Sequence, residues 1–474
     1  MTDTCKILII GAGPTALGAA KRLDELGQSD WLLFERQAEA GGLAGSVVDE
    51  AGFTWDMGGH VIFSHYQYFD RVLRETIAQW VEHVREAWVY LGGQFIPYPF
   101  QNNIWRLPPD QLIDCMEGLI DARLNISTHA EKPGSFHDWI VSNYGNALSE
   151  LFFLPYNFKV WAYQPKKLDI GWTGERVARV DLKKILRTLV LKQDDIGWGP
   201  NSTFSFPLHG GTGAIWRGLA EKLPPEKINF SNGLVSLDIQ NKKASFENGK
   251  VVSYSHLIST IPLRELLLLL VNQPQLTARA DELIYSSTHI VGLGMDGQIP
   301  AELAGKCWLY FPEPEIPFYR ATAFSHYSPY NVPKPGKQWS LMCEVSESPD
   351  KNVNSATVAK DVLKAAASIG FIDEKSCASL WHRRLEYGYP TPFLGRDKLL
   401  AELDKALLEK SIHSRGRFGG AKYEVSNQDH SFMQGVEAVD NILFGDEEIT
   451  YTDPNRVNTQ GKRPEPRRPA PGGM

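Results

Sequence analysis

Cysteine is scarce: five in 474 residues, at 5, 115, 307, 343 and 377, with no Cys-x-x-Cys spacing among them. An odd, scattered set argues against both a disulfide framework and a zinc site, and for a reducing compartment. No metal is expected. Long apolar runs are missing too; the greasiest, 266–271, is far too short to span a bilayer and follows Arg264 and Glu265. No charged-then-apolar leader follows Met1, so neither a secretory signal nor a membrane partner is expected, and the location expected is the cytoplasm. A broad excess of positive charge is also absent. Net charge is −7; residues 453–474 hold five basic residues against two acidic ones, net +3, which leaves −10 for the rest. Such a body does not attract nucleic acid broadly, so an anionic ligand must be held by a local cluster of arginines. With five prolines and almost no apolar residues, the tail 453–474 reads as disordered.

What remains is an ordinary globular composition, 43% apolar and 22% charged, long enough for two or three domains. It opens with a short apolar strand at 6–10, then GAGPTALGAAKRLDELG at 11–27, then a second strand at 31–34 ending in Glu35. Ala16, Ala19, Ala20, Leu23 and Leu26 recur at helical spacing, and Gly27 ends the helix. Gly11, Gly13 and Ala16, with Pro14 between them, meet the G-x-G-x-x-[GA] pattern: a tight turn, close backbone approach to a diphosphate, then close helix packing. Glu35 can accept a hydrogen bond from a ribose hydroxyl. A glycine fingerprint alone is a weak signal; strand, helix, strand and acid in register make it a dinucleotide site.

The next segment sharpens it. Glu35-Arg36-x4-Gly41-Gly42, continuing Leu43-Ala44-Gly45-Ser46, resembles the second signature of FAD enzymes of the glutathione-reductase-like and amine-oxidase-like group. Residues 206–223 read as a Gly-rich turn opening a helix, and 233–262 as a β-meander returning to a Rossmann strand, with Asn248-Gly249 as its hairpin turn. Residues 103–200 are helical by pattern, with Ser135 as an N-cap. Strand-like alternation fills 285–345, an amphipathic helix 355–369 ends at Gly370, and a last helix covers 431–443. The fold class expected is α/β: a Rossmann-like FAD-binding domain with a helical insertion, an antiparallel β-sheet insertion and a disordered C-terminal tail. The FAD domain is expected at 1–102, 201–284 and 393–452, a helical substrate-binding insertion at 103–200, the sheet domain at 285–392 and the tail at 453–474.

Chemistry concentrates where aromatics are dense. His60 follows the pair Gly58-Gly59 at the edge of an apolar run, either as a satisfied core histidine or as one pressed against a reactive cofactor. FFLPYNFKVW, YPFQN and PFYRATAFSHYSPYN mostly build core. Gln101, Asn157, Arg176 and Arg320 do not fit that reading, because each demands a partner when buried. Amides beside aromatic planes suit a heterocyclic base, and arginines with tyrosine hydroxyls suit a diphosphate. One at a time, each arginine reads as a surface ion pair; together they do not.

As a set, EAGGLAGS, DMGGHVIFSHYQYFD, PYPFQNN, PYNFKVWA, GERVA, WGPNSTFSFP, GGTGAIW, FYRATAFSHYSPYN, GYPTP, RGRFG and YEVSNQDHSFMQGVEAVDNIL resemble UDP-galactopyranose mutases of the eukaryotic type. The motifs run in order from about residue 5 to 445, least clearly over 103–135 and 333–385. Ser426 stands where that family usually has glycine. The resemblance implies a UDP-sugar substrate, interconverted between pyranose and furanose forms through a bond to N5 of reduced FAD, with no net redox and with NADPH or NADH as reductant. It further implies that Arg176 and Arg320 clamp the diphosphate with Tyr310, Tyr327, Tyr389 and Tyr423. Tyr98, Phe100, Gln101, Phe152, Asn157 and Trp161 would hold uridine, and Asn201 would bridge sugar and phosphate. Gly59, His60, Arg417, Asn427 and Gln428 would line the flavin. A homo-oligomer is compatible with the sequence. Kept open are a mutase of another nucleotide sugar, a UDP-sugar-binding flavoprotein without activity, and an amine- or porphyrinogen-oxidising enzyme, against which the Arg/Tyr set argues.

Overall fold

The computed structural model describes residues 2–126, 133–174, 176–178, 180–196, 199 and 202–467. Strand β1 (Thr2–Ile10) lies between β2 (Trp31–Phe34) and Val251–Ser259, parallel to both. Its residues Ile7–Ile10 are buried because helices cover both faces of the sheet. Leu234–Asp238 and Lys243–Phe246 add antiparallel strands on the Val251–Ser259 side; Ile228–Asn229 and Ile412–Ser414 add parallel ones. Helix α1 (Pro14–Glu25) starts with Pro at its first turn, where the missing N–H costs nothing. It packs on the last long helix, Gln428–Phe444, through small residues: a Cβ on Gly435 would meet the Thr15 carbonyl at 1.9 Å.

A second sheet carries, in order, Cys377–Pro390, Tyr285–Asp296, Gln338–Glu347, Arg320–Ala323, Trp308–Tyr310, Ala87–Leu91 and Gln94–Pro97. All neighbours are antiparallel except Trp308–Tyr310 beside Ala87–Leu91. The strand Tyr285–Asp296 is buried almost throughout, with Phe53 and Trp55 laid on one face. Gly292 and Gly294 permit this, since a Cβ there would meet the Trp55 ring at 2.6 Å and the Phe53 ring at 2.7 Å. The helical segment comprises Pro109–Ile126, Phe136–Leu148, Leu154–Trp161 and Leu182–Leu191, sharing a core of Phe100, Tyr144, Phe152, Trp161 and Trp172. Ser135 caps Phe136–Leu148 by accepting from Asp138 N, as its sequence position suggests.

One boundary is corrected. Disorder does not begin at Asp453: Pro454–Thr459 is helical, and residues up to Arg467 lie against the body. The composition is poor in apolar groups, but the acidic body supplies charge partners for Lys462, Arg463 and Arg467. Among the described residues no helix is long and apolar enough to cross a membrane.

Candidate active site

At the end of β1 the chain turns sharply. Gly11 has φ +105°, and a Cβ there would meet Thr260 Oγ1 at 2.2 Å, so only glycine holds this corner. The turn delivers the amide end of α1 to the sheet edge. Glu35, at the end of β2, accepts from Ala12 N at 2.6 Å and Gln37 N at 2.7 Å. Burial raises its carboxyl against the pull of these amides. Gly42 lies against Gly13, so the second glycine-rich turn closes over the first. Behind it Asp56, fully buried, accepts from Ser46 Oγ, Thr212 N and Thr212 Oγ1, and burial pushes its carboxyl up to about 7. Amide-rich glycine corners, a helix N-terminus and an acid at the strand end fit the diphosphate and ribose of FAD.

These residues line one wall of a cavity of about 1240 Å³ whose other walls are aromatic and cationic. Tyr98, Tyr156 and Tyr310 meet edge to face at 5.4 and 5.5 Å, and Phe152 stacks on Tyr156 at 5.2 Å. Further along, Trp161 meets Tyr389 at 5.7 Å and Tyr423 at 4.8 Å. Burial raises Tyr98, Tyr310 and Tyr389, so their hydroxyls stay protonated and can donate. The Arg176 guanidinium lies over Tyr423 at 5.1 Å and donates to Asn427 Oδ1 at 2.9 Å and to the Glu424 carbonyl at 3.1 Å. Arg417 lies over Tyr389 at 5.0 Å and donates to Ser426 Oγ at 2.9 Å and to the Gly388 carbonyl at 3.0 Å. Both cations thus rest on neutral oxygens, which leaves their charge to attract an anion.

Arg320 differs. It is clamped by the buried Glu344 carboxylate, Nε and Nη2 each at 2.8 Å, while Tyr319 Oη donates to the same group at 2.5 Å. Burial would raise Glu344, but the Arg320 charge and its other donors outweigh it and hold the carboxyl below its usual value. Glu344 also accepts from Gly59 N at 2.9 Å, tying the arginine to the backbone beside His60. His60 is half-buried on the cavity wall, and its Nδ1 is a buried atom with no hydrogen-bond partner among the described residues. Burial, then the nearby Arg417 charge, lowers its pKa to about 4, so the imidazole is neutral at pH 7.

The structure brings most of the sequence-selected residues to this cavity: Gly11, Gly13, Pro14, Glu35, Arg36, Gly42, Leu43, Gly59, His60, Tyr98, Phe152, Asn157, Trp161, Arg176, Tyr310, Arg320, Tyr389, Arg417, Tyr423, Asn427 and Gln428. Four others stand behind the wall. Ala16 is buried in α1, Phe100 packs on Phe152 at 4.7 Å, Gln101 donates to the Ala178 carbonyl at 2.8 Å, and Tyr327 lies in the core against Phe204 and Phe206. Asn201 lies outside the described residues. Sequence reading missed Glu344, Tyr156 and Tyr319. A lone carboxylate inside the apolar stretch 339–345 was the available signal for the first.

Comparison with known proteins agrees with this geometry. The sequence matches the flavin containing amine oxidoreductase family over residues 17–443. The fold superposes with TM-score 0.94 on the crystal structure of a reduced UDP-galactopyranose mutase, at 47% identity over 97% of this chain and 98% of that one. A putative protoporphyrinogen oxidase from Exiguobacterium sp. 255-15 matches at TM-score 0.70 with 15% identity, over 94% of this chain and all of that one. Putrescine oxidase bound to putrescine matches at 0.64 with 13% identity, over 94% and 100%. These two share the fold.

Proposed function

We propose that this chain, which belongs to the flavin containing amine oxidoreductases and within them to the UDP-galactopyranose mutases, is an isomerase interconverting UDP-galactopyranose and UDP-galactofuranose. The observation that carries the reading is one continuous cavity with two glycine-rich turns and a helix N-terminus along one wall and an aromatic, cationic lining along another, which suits a nucleotide diphosphate. Bound and reduced, FAD supplies a nucleophilic N5 for the anomeric carbon, and the net reaction leaves it unoxidised.

The protein's own groups do the rest. Tyr98, Phe152, Tyr156 and Trp161 take the uracil and ribose, with the Asn157 amide at their edge. Arg176 and Arg320, with Tyr310, Tyr389 and Tyr423, hold the diphosphate, where negative charge grows as the sugar departs; preorganised donors act most strongly at that point. Phe100, Gln101 and Tyr327 support this wall from behind. Neutral His60 and the Gly58–Gly59 backbone, with Arg417, Asn427 and Gln428, would border the flavin. An amine-oxidising pocket has no use for Arg176 and Arg417, two cations resting on neutral oxygens. NADPH or NADH serves as reductant, the location is cytoplasmic, and the helical segment 103–200 acts as the nucleotide-binding unit. Assay of purified, dithionite-reduced protein with UDP-hexoses and UDP-pentoses, read by chromatography, tests the assignment. Conversion confined to the galactose pair supports it; preference for another sugar reassigns the substrate, and no conversion of any rejects it.

A further inference from the structure

The C-terminal arm that composition marks as disordered is wound into the support of the active site. Arg463 forms a parallel bridge with Tyr66: its N–H donates to the His65 carbonyl at 2.7 Å, and its carbonyl accepts from Gln67 N at 3.0 Å. Its guanidinium pairs with Glu437 Oε1 at 2.7 Å, on the last long helix. Glu437 in turn accepts from Thr450 N at 2.8 Å and Thr450 Oγ1 at 2.9 Å, and Thr450 Oγ1 meets Tyr66 Oη at 2.7 Å. The circuit closes on itself. Outer pairs hold the arm in register: Lys462 with Asp70, Glu465 with Arg71, and the Arg467 carbonyl with Arg22.

What the arm grips matters more than how tightly. Residues 65–67 end the segment that carries His60. His65 is bonded through both its N–H and its ring Nδ1 to Asp429 Oδ2, at 3.0 and 2.8 Å. Asp429 is the second residue of that last long helix, whose N-cap Asn427 and first residue Gln428 line the cavity. Two cavity walls, the His60 segment and the start of the last helix, therefore meet at His65–Asp429, and the arm fastens that joint on its far side.

We propose that the C-terminal arm, through Arg463, is a positioning element of the active site, holding the His60 segment in register with the Asn427–Gln428 wall. This rests on the mutase reading for the meaning of that register, but not for its geometry. Displacement of reacting groups by about 1 Å can cost up to a hundredfold in rate, so an element remote from substrate can act this way.

The test compares FAD-loaded full-length protein with Arg463→Ala, Arg463→Lys and the double variant Arg463→Ala/Glu437→Gln. The last removes the buried unpaired carboxylate that could unfold the single variant. Hydrogen exchange is measured across 58–67, with kcat and KM for the UDP-sugar. Exchange in 58–67 should rise about fivefold or more in both alanine variants with α1 unchanged. The rate should drop about tenfold in kcat with KM held within about twofold, and Arg463→Lys should recover most of both. A lower melting temperature with wild-type exchange in 58–67 and wild-type kcat in the double variant would overturn the proposal. Absence of UDP-sugar turnover in the wild type would instead reject the mutase reading, leaving the exchange result to judge the arm.

Discussion

At the residue scale, the two arginines of the clamp should not behave alike. Among the described residues Arg176 donates to an amide oxygen and a carbonyl, both neutral, and lies over the Tyr423 ring, so Arg176→Ala should lose on the order of a hundredfold or more in turnover with little change in stability. Arg320→Ala strands the buried Glu344 carboxylate, so it should lose turnover and also about 3–5 kcal/mol of stability. Turnover, FAD content and melting temperature of each variant check this; near-wild-type rates in both would return the arginines to structural roles. His60 offers a second check. Its pKa of about 4 means that no limb near pH 6.5 in the rate profile should belong to it. A limb at 6.5 that disappears in His60→Ala would contradict the neutral imidazole. His60 and Arg320 were legible in the sequence because polar residues interrupt apolar and aromatic runs, whereas Arg176, in GWTGERVARVD with its single aromatic, stood out through the motif GERVA of the resemblance. Glu344 was not, since a carboxylate inside an apolar strand announces burial but not its partners. Tyr327 carried the opposite hazard: it sits in a motif with Arg320, yet the short helical turn Phe324–Tyr327 sends it into the core.

At the scale of elements, the opening strand–helix–strand was readable because glycine spacing and helical periodicity agree. The helix expected at 355–369 is observed as Val358–Ser368, and the last helix, expected at 431–443, begins three residues earlier, at Gln428. The arm was misread because charge pairing depends on a surface that one stretch of sequence does not reveal. Sheet packing gives a sharp prediction: Gly292→Ala drives a methyl group into the Trp55 ring and should destabilise by about 1–3 kcal/mol. Thermal unfolding measures it. An unchanged melting temperature would mean that Trp55 can move aside, which its stacking on Trp381 at 6.0 Å opposes.

At the scale of the whole molecule, buried ion pairs tie separate elements together. Glu448 receives Arg415 Nε at 2.6 Å. Burial alone would raise its carboxyl, but Arg415 and His413 outweigh that and lower it from 4.5 to about 2. A depressed carboxyl contributes stability above pH 4.5 and loses it as the pH falls through about 2, a contribution on the order of 3 kcal/mol. Thermal unfolding of Glu448→Gln should therefore be less pH-dependent than wild type between pH 4.5 and 2; parallel curves would remove Glu448 from the account. The central claim is that one cavity joins a flavin to a UDP-sugar for isomerisation without net oxidation. Its most direct test follows UDP-galactofuranose with FAD-loaded protein, first with the flavin held oxidised and then after dithionite reduction. Conversion to UDP-galactopyranose only in the reduced state, over many turnovers without further reductant, is the predicted result. Full turnover with the flavin oxidised, or one equivalent of reductant consumed per sugar converted, would contradict it.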